Sequence, residues 1–266
     1  MRKLLSVFAA TMLVGTTAFA DSENVAVPTP VLSGEVELTF SEQASGDWGG
    51  ELGLDLGLSA GTLGTVDLGF IANDTDQIEL DTWTVGTAIG SLGVALGNDN
   101  GVFVGAEGEQ TLAAPAMTES IKVTVGDAAV AVGFTDWTAD VTDISNIQGA
   151  YTMGNVAGLA NITLAGDYNM DSENFVLGAT AGGIEIAGVG LSKTVTYDVD
   201  AERLGFEGVA SVMGVTAYLN GDTDDTFQNI GGEYTYNIGG AELTAGANYN
   251  IDAEDFAPTA GISFSF

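Results

Sequence analysis

The chain has 266 residues, 45% of them hydrophobic, with 37 Asp and Glu against five Lys and Arg and a formal charge of −32. So acidic a chain cannot bind nucleic acid by neutralising phosphates, which takes clustered Lys and Arg, and its hydrophobic fraction and positive mean hydropathy exclude the disorder that high charge otherwise brings. The absence of Cys and His removes disulfides, His- and Cys-ligated zinc and both Ser/His/Asp and Cys/His nucleophile chemistry.

Residues 1–20, MRKLLSVFAATMLVGTTAFA, open on Arg2 and Lys3, run through an apolar stretch and close on Ala18-Phe19-Ala20. This pattern predicts a secretory signal peptide cleaved near Ala20. The mature chain then keeps three cations, Lys122, Lys193 and Arg203, against all 37 carboxylates. No mature segment reaches the 18 consecutive apolar residues of a transmembrane helix candidate.

Beyond the signal, apolar residues recur at every second position. From Trp48 onward, Leu52, Leu54, Leu56 and Leu58 share one face while Glu51, Gly53, Asp55 and Gly57 share the other. Val66, Leu68 and Phe70 stand opposite Thr65, Asp67 and Gly69, and Leu243, Ala245, Ala247 and Tyr249 opposite Glu242, Thr244, Gly246 and Asn248. A period of two is the strand signature. The spacing predicts sixteen strands, with fourteen as the alternative count, over 34–41, 48–59, 63–72, 77–85, 88–97, 119–126, 129–137, 146–154, 158–168, 172–181, 184–194, 203–212, 214–220, 228–237, 240–250 and 257–266.

The predicted connections alternate between two kinds. Those after even strands are tight and rich in Gly or Ala: Ala60-Gly61-Thr62, Gly86-Thr87, Asp127-Ala128, Asn155-Val156-Ala157, Gly182-Gly183, Gly214 and Gly239. They suit short hairpins. Those after odd strands are longer and acidic, including 73–76, 138–145, 198–202, 221–227 and 252–255. One end of the molecule is therefore trimmed and the other looped and negative.

Alternating strands suit either a soluble sandwich or solenoid, with the apolar face inward, or a membrane barrel, with the apolar face toward lipid and a polar lumen. The even strand count, the turn and loop asymmetry and aromatics such as Phe40, Trp48, Tyr234, Tyr236, Tyr249, Phe264 and Phe266 near strand ends or on the apolar face favour a closed antiparallel transmembrane β-barrel. The competing reading is a secreted or surface-layer structural or adhesive β protein stabilised by calcium.

The opening strand Gly34-Glu35-Val36-Glu37-Leu38-Thr39-Phe40, the stretch Gly49-Gly50-Glu51-Leu52-Gly53-Leu54-Asp55-Leu56-Gly57-Leu58 and the terminal Gly261-Ile262-Ser263-Phe264-Ser265-Phe266, behind an export signal, resemble the general porins of Gram-negative outer membranes, especially the alphaproteobacterial type. The resemblance covers the whole mature chain, 21–266, and is one of pattern. It implies a sixteen-stranded barrel in the outer membrane, usually trimeric, passing small hydrophilic solutes and ions by passive diffusion. It also implies an inward-folded third outer loop, here at 98–118 with Asp99, Glu107 and Glu109 as constriction candidates, against the alternative of a solvated surface loop. The terminal Phe266 is the position that the barrel-assembly machinery reads in that family. The chain departs from the family in lacking an arginine cluster to oppose the acidic loop.

With the apolar face toward lipid, the opposite parity assigns Glu35, Glu37, Glu51, Asp55, Asp67, Glu79, Asp81, Lys122, Glu233 and Glu242 to the lumen. A wall of carboxylates favours cations, so a cation-selective pore is expected. No cofactor is expected. Gly221-Asp222-Thr223-Asp224-Asp225 offers alternating oxygen ligands, which makes Asp222, Asp224 and Asp225 weak Ca2+ candidates without the distal bidentate Glu of a helix-loop-helix site. No enzyme activity is expected: a carboxylate pair such as Glu107 and Glu109 carries little weight in a chain with acids throughout.

Overall fold

The computed structural model describes residues 30–42, 48–61, 64–72, 78–98, 101–103, 119–135, 143–158, 160–223 and 227–266. The signal segment lies outside them. Sixteen strands follow in chain order: β1 (Val31–Glu42), β2 (Trp48–Ser59), β3 (Thr65–Ala72), β4 (Ile78–Ile89), β5 (Leu92–Gly97), β6 (Glu119–Val125), β7 (Ala128–Phe134), β8 (Ile144–Val156), β9 (Ala160–Asn169), β10 (Phe175–Ile186), β11 (Val189–Asp198), β12 (Arg203–Val212), β13 (Val215–Asp222), β14 (Asn229–Ile238), β15 (Ala241–Asn250) and β16 (Asp255–Ser265). Each pairs antiparallel with its neighbours in sequence, and β1 pairs with β16, so the sheet closes on itself. The count is sixteen and not fourteen, and the architecture is neither sandwich nor solenoid.

Polarity across the wall is the reverse of a soluble protein. Among the described residues, the largest fully buried side chains are Gln148, Asn146, Asp167, Asp222 and Ser120, all polar. Large apolar side chains stand outside instead, such as Leu52 at 42% and Leu164 at 47% exposure. The register carries one parity around the ring. Inward positions run Glu35, Asp55, Gly69, Thr82 across β1 to β4, and outward ones Val36, Leu54, Phe70, Leu80. A sheet with this polarity is at rest only with hydrocarbon outside and water inside.

The short turns lie at one end. Ala187-Gly188, Met213-Gly214 and Gly239-Gly240 each place two consecutive residues at positive φ, the two-residue hairpin geometry whose twist matches that of the strands. Two expected turns fall elsewhere. Gly86-Thr87 lies inside β4, which runs on to Ile89, and the chain reverses at Gly90-Ser91. Gly182-Gly183 lies inside β10, where the register shifts between Ala181 and Ile184, and the reversal comes at Ala187-Gly188. In both cases glycine serves the strand rather than the turn: Gly86 faces Thr65 across the β3–β4 pair, and Gly183, at φ +69, accommodates the bulge.

At the opposite end three connections repeat one motif that the sequence reading did not single out: Tyr168-Asn169-Met170-Asp171-Ser172-Glu173, Tyr197-Asp198-Val199-Asp200-Ala201-Glu202 and Tyr249-Asn250-Ile251-Asp252-Ala253-Glu254. The Asn or Asp side chain accepts backbone N–H groups two or three residues on: Asn169 from Asp171 and Ser172, Asp198 from Asp200 and Ala201, Asn250 from Ala253. The closing Glu173, Glu202 and Glu254 take φ of 56°, 53° and 52°. A left-handed conformation costs a side chain about 1–2 kcal/mol, and glycine gives back about 0.5–1 kcal/mol of that as chain entropy. Glu202→Gly should therefore raise the urea-unfolding free energy by about 0.5–1 kcal/mol; a loss of stability would show that the Glu202 side chain holds the turn.

The seam depends on one fit. Phe266 N–H donates to Gly34 O and Gly34 N–H to Phe266 O, at 2.9 and 3.0 Å. The Phe266 ring lies over Gly34, where an added Cβ would also meet the Asp55 carbonyl at 2.8 Å. Gly34→Val should block closure of β1 on β16, seen as loss of the compact, heat-modifiable band on unheated gels; wild-type folding yield would refute the fit.

Candidate pore

The inward face divides into two walls. On β14 through β4 it is open and acidic. Glu37, Glu51, Asp55, Asp67, Glu79 and Glu233 are exposed there, and Glu35 and Glu242 half-buried, all on inward register positions. Glycines make room for these acids: a Cβ at Gly69 would come within 2.9 Å of Asp55 Oδ1, and one at Gly57 within 3.2 Å of Asp67 Oδ1. Glu35 stands directly across from Asp55 in the register, a like-charge pairing that costs stability and that a pore wet with counter-ions offsets. Asp81 is the residue left over where the β3–β4 register shifts between Gly69 and Phe70. The Asn98 side chain fills that irregularity, donating to Asp81 O and accepting from Trp83 N–H.

On β6 through β14 the inward face is tied down. Asn146 Nδ2 donates to Asp167 Oδ1 at 3.0 Å, Gln228 Nε2 to Asp222 Oδ2 at 2.9 Å, and Asn229 Nδ2 to Asn220 Oδ1 at 3.1 Å. Thr180 and Thr194 share a hydrogen bond of 3.0 Å, as do Thr152 and Thr163. Arg203 forms an ion pair with Asp222. These side chains, most of them buried, stitch neighbouring strands together from inside.

The chain that leaves β5 meets this tied wall. Val102 and Phe103 donate their backbone N–H groups to Gln148 Oε1 at 2.9 and 3.1 Å, and Gln148, 2% exposed, is an inward residue of β8. Val102 and Phe103 thus lie against the inward face of β8.

Lys122, Arg203 and Lys193 occupy three different environments. Lys122 is inward on β6, between Ala95 and Ala131 in the register. Arg203 is inward and paired. Lys193 pairs with Ala181 and Gly208 on the outward parity, so the lumen wall holds fewer cations than the sequence offered. Asp99, Glu107, Glu109, Asp224 and Asp225 lie outside the described residues, and Asp222 is engaged by Arg203 and Gln228. Among the described residues no three His, Cys, Asp or Glu side chains gather closely enough to hold a metal ion. The reading by parity did not separate Asn146, Gln148 and Asp167 from other polar positions, because their adjacency exists only in the register of β8 on β9.

A closed antiparallel barrel of sixteen strands, apolar outside and polar within, defines the porin-type membrane barrel. No family model and no curated protein sequence matches the chain. Solved structures match it in fold. A Rh. blastica porin variant superimposes with a TM-score of 0.62 at 12% identity over 90% of this chain and all of that one. Salmonella typhi OmpF in complex with daunomycin gives 0.59 at 10% identity over 90% and 98%, and Pseudomonas putida OprB 0.51 at 12% over 88% and 91%. The chain has the fold of the Gram-negative outer-membrane porins.

Gln148 fastens the start of the long connection to the wall through the N–H groups of Val102 and Phe103. Gln148→Ala should raise single-channel conductance and open-channel noise in planar bilayers; unchanged traces would show that this segment does not border the conducting path.

Proposed function

We propose that the chain forms a water-filled pore in the outer membrane, passing small hydrophilic solutes and ions by passive diffusion with a preference for cations, and that it is a channel rather than an enzyme. The observation that carries this is the inward carboxylate wall of Glu35, Glu37, Glu51, Asp55, Asp67, Glu79, Glu233 and Glu242, faced by Lys122 and by an Arg203 whose charge Asp222 already meets. Low-dielectric walls focus the field of such a row and concentrate counter-ions. Because the acids are spread along the wall and do not converge, a cation meets a succession of weak sites, which permits both entry and exit.

Three finer readings accompany this one. The segment 98–118 folds inward and narrows the pore, supported by the anchoring of Val102 and Phe103 on Gln148. The barrels associate as trimers, supported by the small outward side chains Ala217, Gly232, Ala245 and Ala260 on β13 to β16, which permit close approach. Phe266 acts as the assembly signal presented to the barrel-assembly machinery after export and cleavage near Ala20, supported by its place at the closing seam.

Reversal potential of the refolded protein in a KCl gradient tests the selectivity. The wild type should prefer potassium, and Asp55→Asn with Asp67→Asn should reduce that preference while leaving conductance at 1 M salt nearly unchanged, because screening there acts within about 3 Å. Anion preference in the wild type would overturn the proposal.

A further inference from the structure

Lys193 stands in a place where a porin-type wall has no evident use for a charge. Outward positions around it are apolar: Leu191 and Val195 on β11, Ala181 and Gly208 on the flanking strands, then Leu219 beyond Gly208. It is exposed, and no ion pair reaches it among the described residues. Gly208 leaves open space beside it, since a Cβ there would touch nothing within 4 Å. The described outward positions of β10 to β13 carry no carboxylate to neutralise it.

A cation on the lipid face of a barrel is costly at the midplane and nearly free at the interface. Lys193 lies four residues beyond Val189, the first residue after the Ala187-Gly188 turn, about 10 Å along the barrel axis at roughly 3.3 Å per residue and a tilt near 40°. The flexible four-carbon stem can carry the ammonium most of the way to the headgroups at the short-turn end. With no outward carboxylate on β10 to β13 to pair with it, the counter-charge within reach of the extended side chain is an anionic headgroup at the short-turn end.

We infer that Lys193, with the recess over Ala181 and Gly208, is a docking point for the phosphate of an anionic glycerophospholipid in the leaflet that meets the short turns. Among the described residues Lys193 is the one cation on the outward parity, since Lys122 and Arg203 face inward, and it sets where such a lipid settles. The inference rests on the membrane-barrel fold and not on conduction or selectivity.

Native mass spectrometry of the mature barrel in detergent micelles, titrated with phosphatidylglycerol and separately with phosphatidylcholine, tests it. The wild type and Lys193→Arg should each retain phosphatidylglycerol with an apparent affinity about fivefold higher than Lys193→Met, as expected for one basic residue at an anionic membrane surface. Phosphatidylcholine retention should be the same in all three. Met suits the apolar surroundings, and a heat-modifiable band confirms that the variant folds. Equal phosphatidylglycerol retention by the wild type and Lys193→Met, or none by either, would overturn the inference. Single-channel conductance of the same samples stands apart: a non-conducting barrel that still shows the Lys193-dependent lipid defeats the pore proposal alone.

Discussion

The closure of β1 on β16 is the constraint on which everything else depends. In hydrocarbon an unpaired N–H or C=O costs several kcal/mol, and a sheet with an open edge exposes a whole row of them. Pairing from Glu35–Ser265 to Ser41–Thr259, extended by the reciprocal bonds of Gly34 and Phe266, removes that edge. Once the ring is closed, a single parity runs around it, and the same alternation that writes Leu54 beside Asp55 becomes an inside and an outside.

That division lets one sheet satisfy two solvents without a conventional core. Leucines and valines on β2 to β9 meet lipid, and the polar interior splits into a stitched wall and an open one. Amide and hydroxyl pairs such as Asn146–Asp167 and Thr180–Thr194 hold neighbouring strands together from within, so that wall is rigid. The acids of β14 to β4, spaced by Gly57 and Gly69, remain free to meet ions. One side is held by hydrogen bonds and the other carries the charge, and Val102 and Phe103 are anchored on the held side.

Most strands were legible because period-two alternation is a property of each segment alone and survives any arrangement of the others. The short turns were less so. Gly86 and Gly183 look like turn residues by type but sit inside strands, since glycine also serves tight cross-strand contacts and bulges. The Asn/Asp turns at 169–173, 198–202 and 250–254 show their repetition in the sequence, yet what unifies them is the side-chain cap and the left-handed Glu, visible only as geometry.

By itself the sequence determined that this would be a chain of alternating strands, strongly acidic, with tight turns at one end and acidic connections at the other, since these follow from residue type and local spacing. Only the tertiary structure decided which acids share a wall, that Asp222 is occupied by Arg203, that Gln148 receives the segment after β5, and that Lys193 faces outward. The reason is physical: alternation fixes two faces for each strand, but register, bulges and closure decide which side chains those faces bring together.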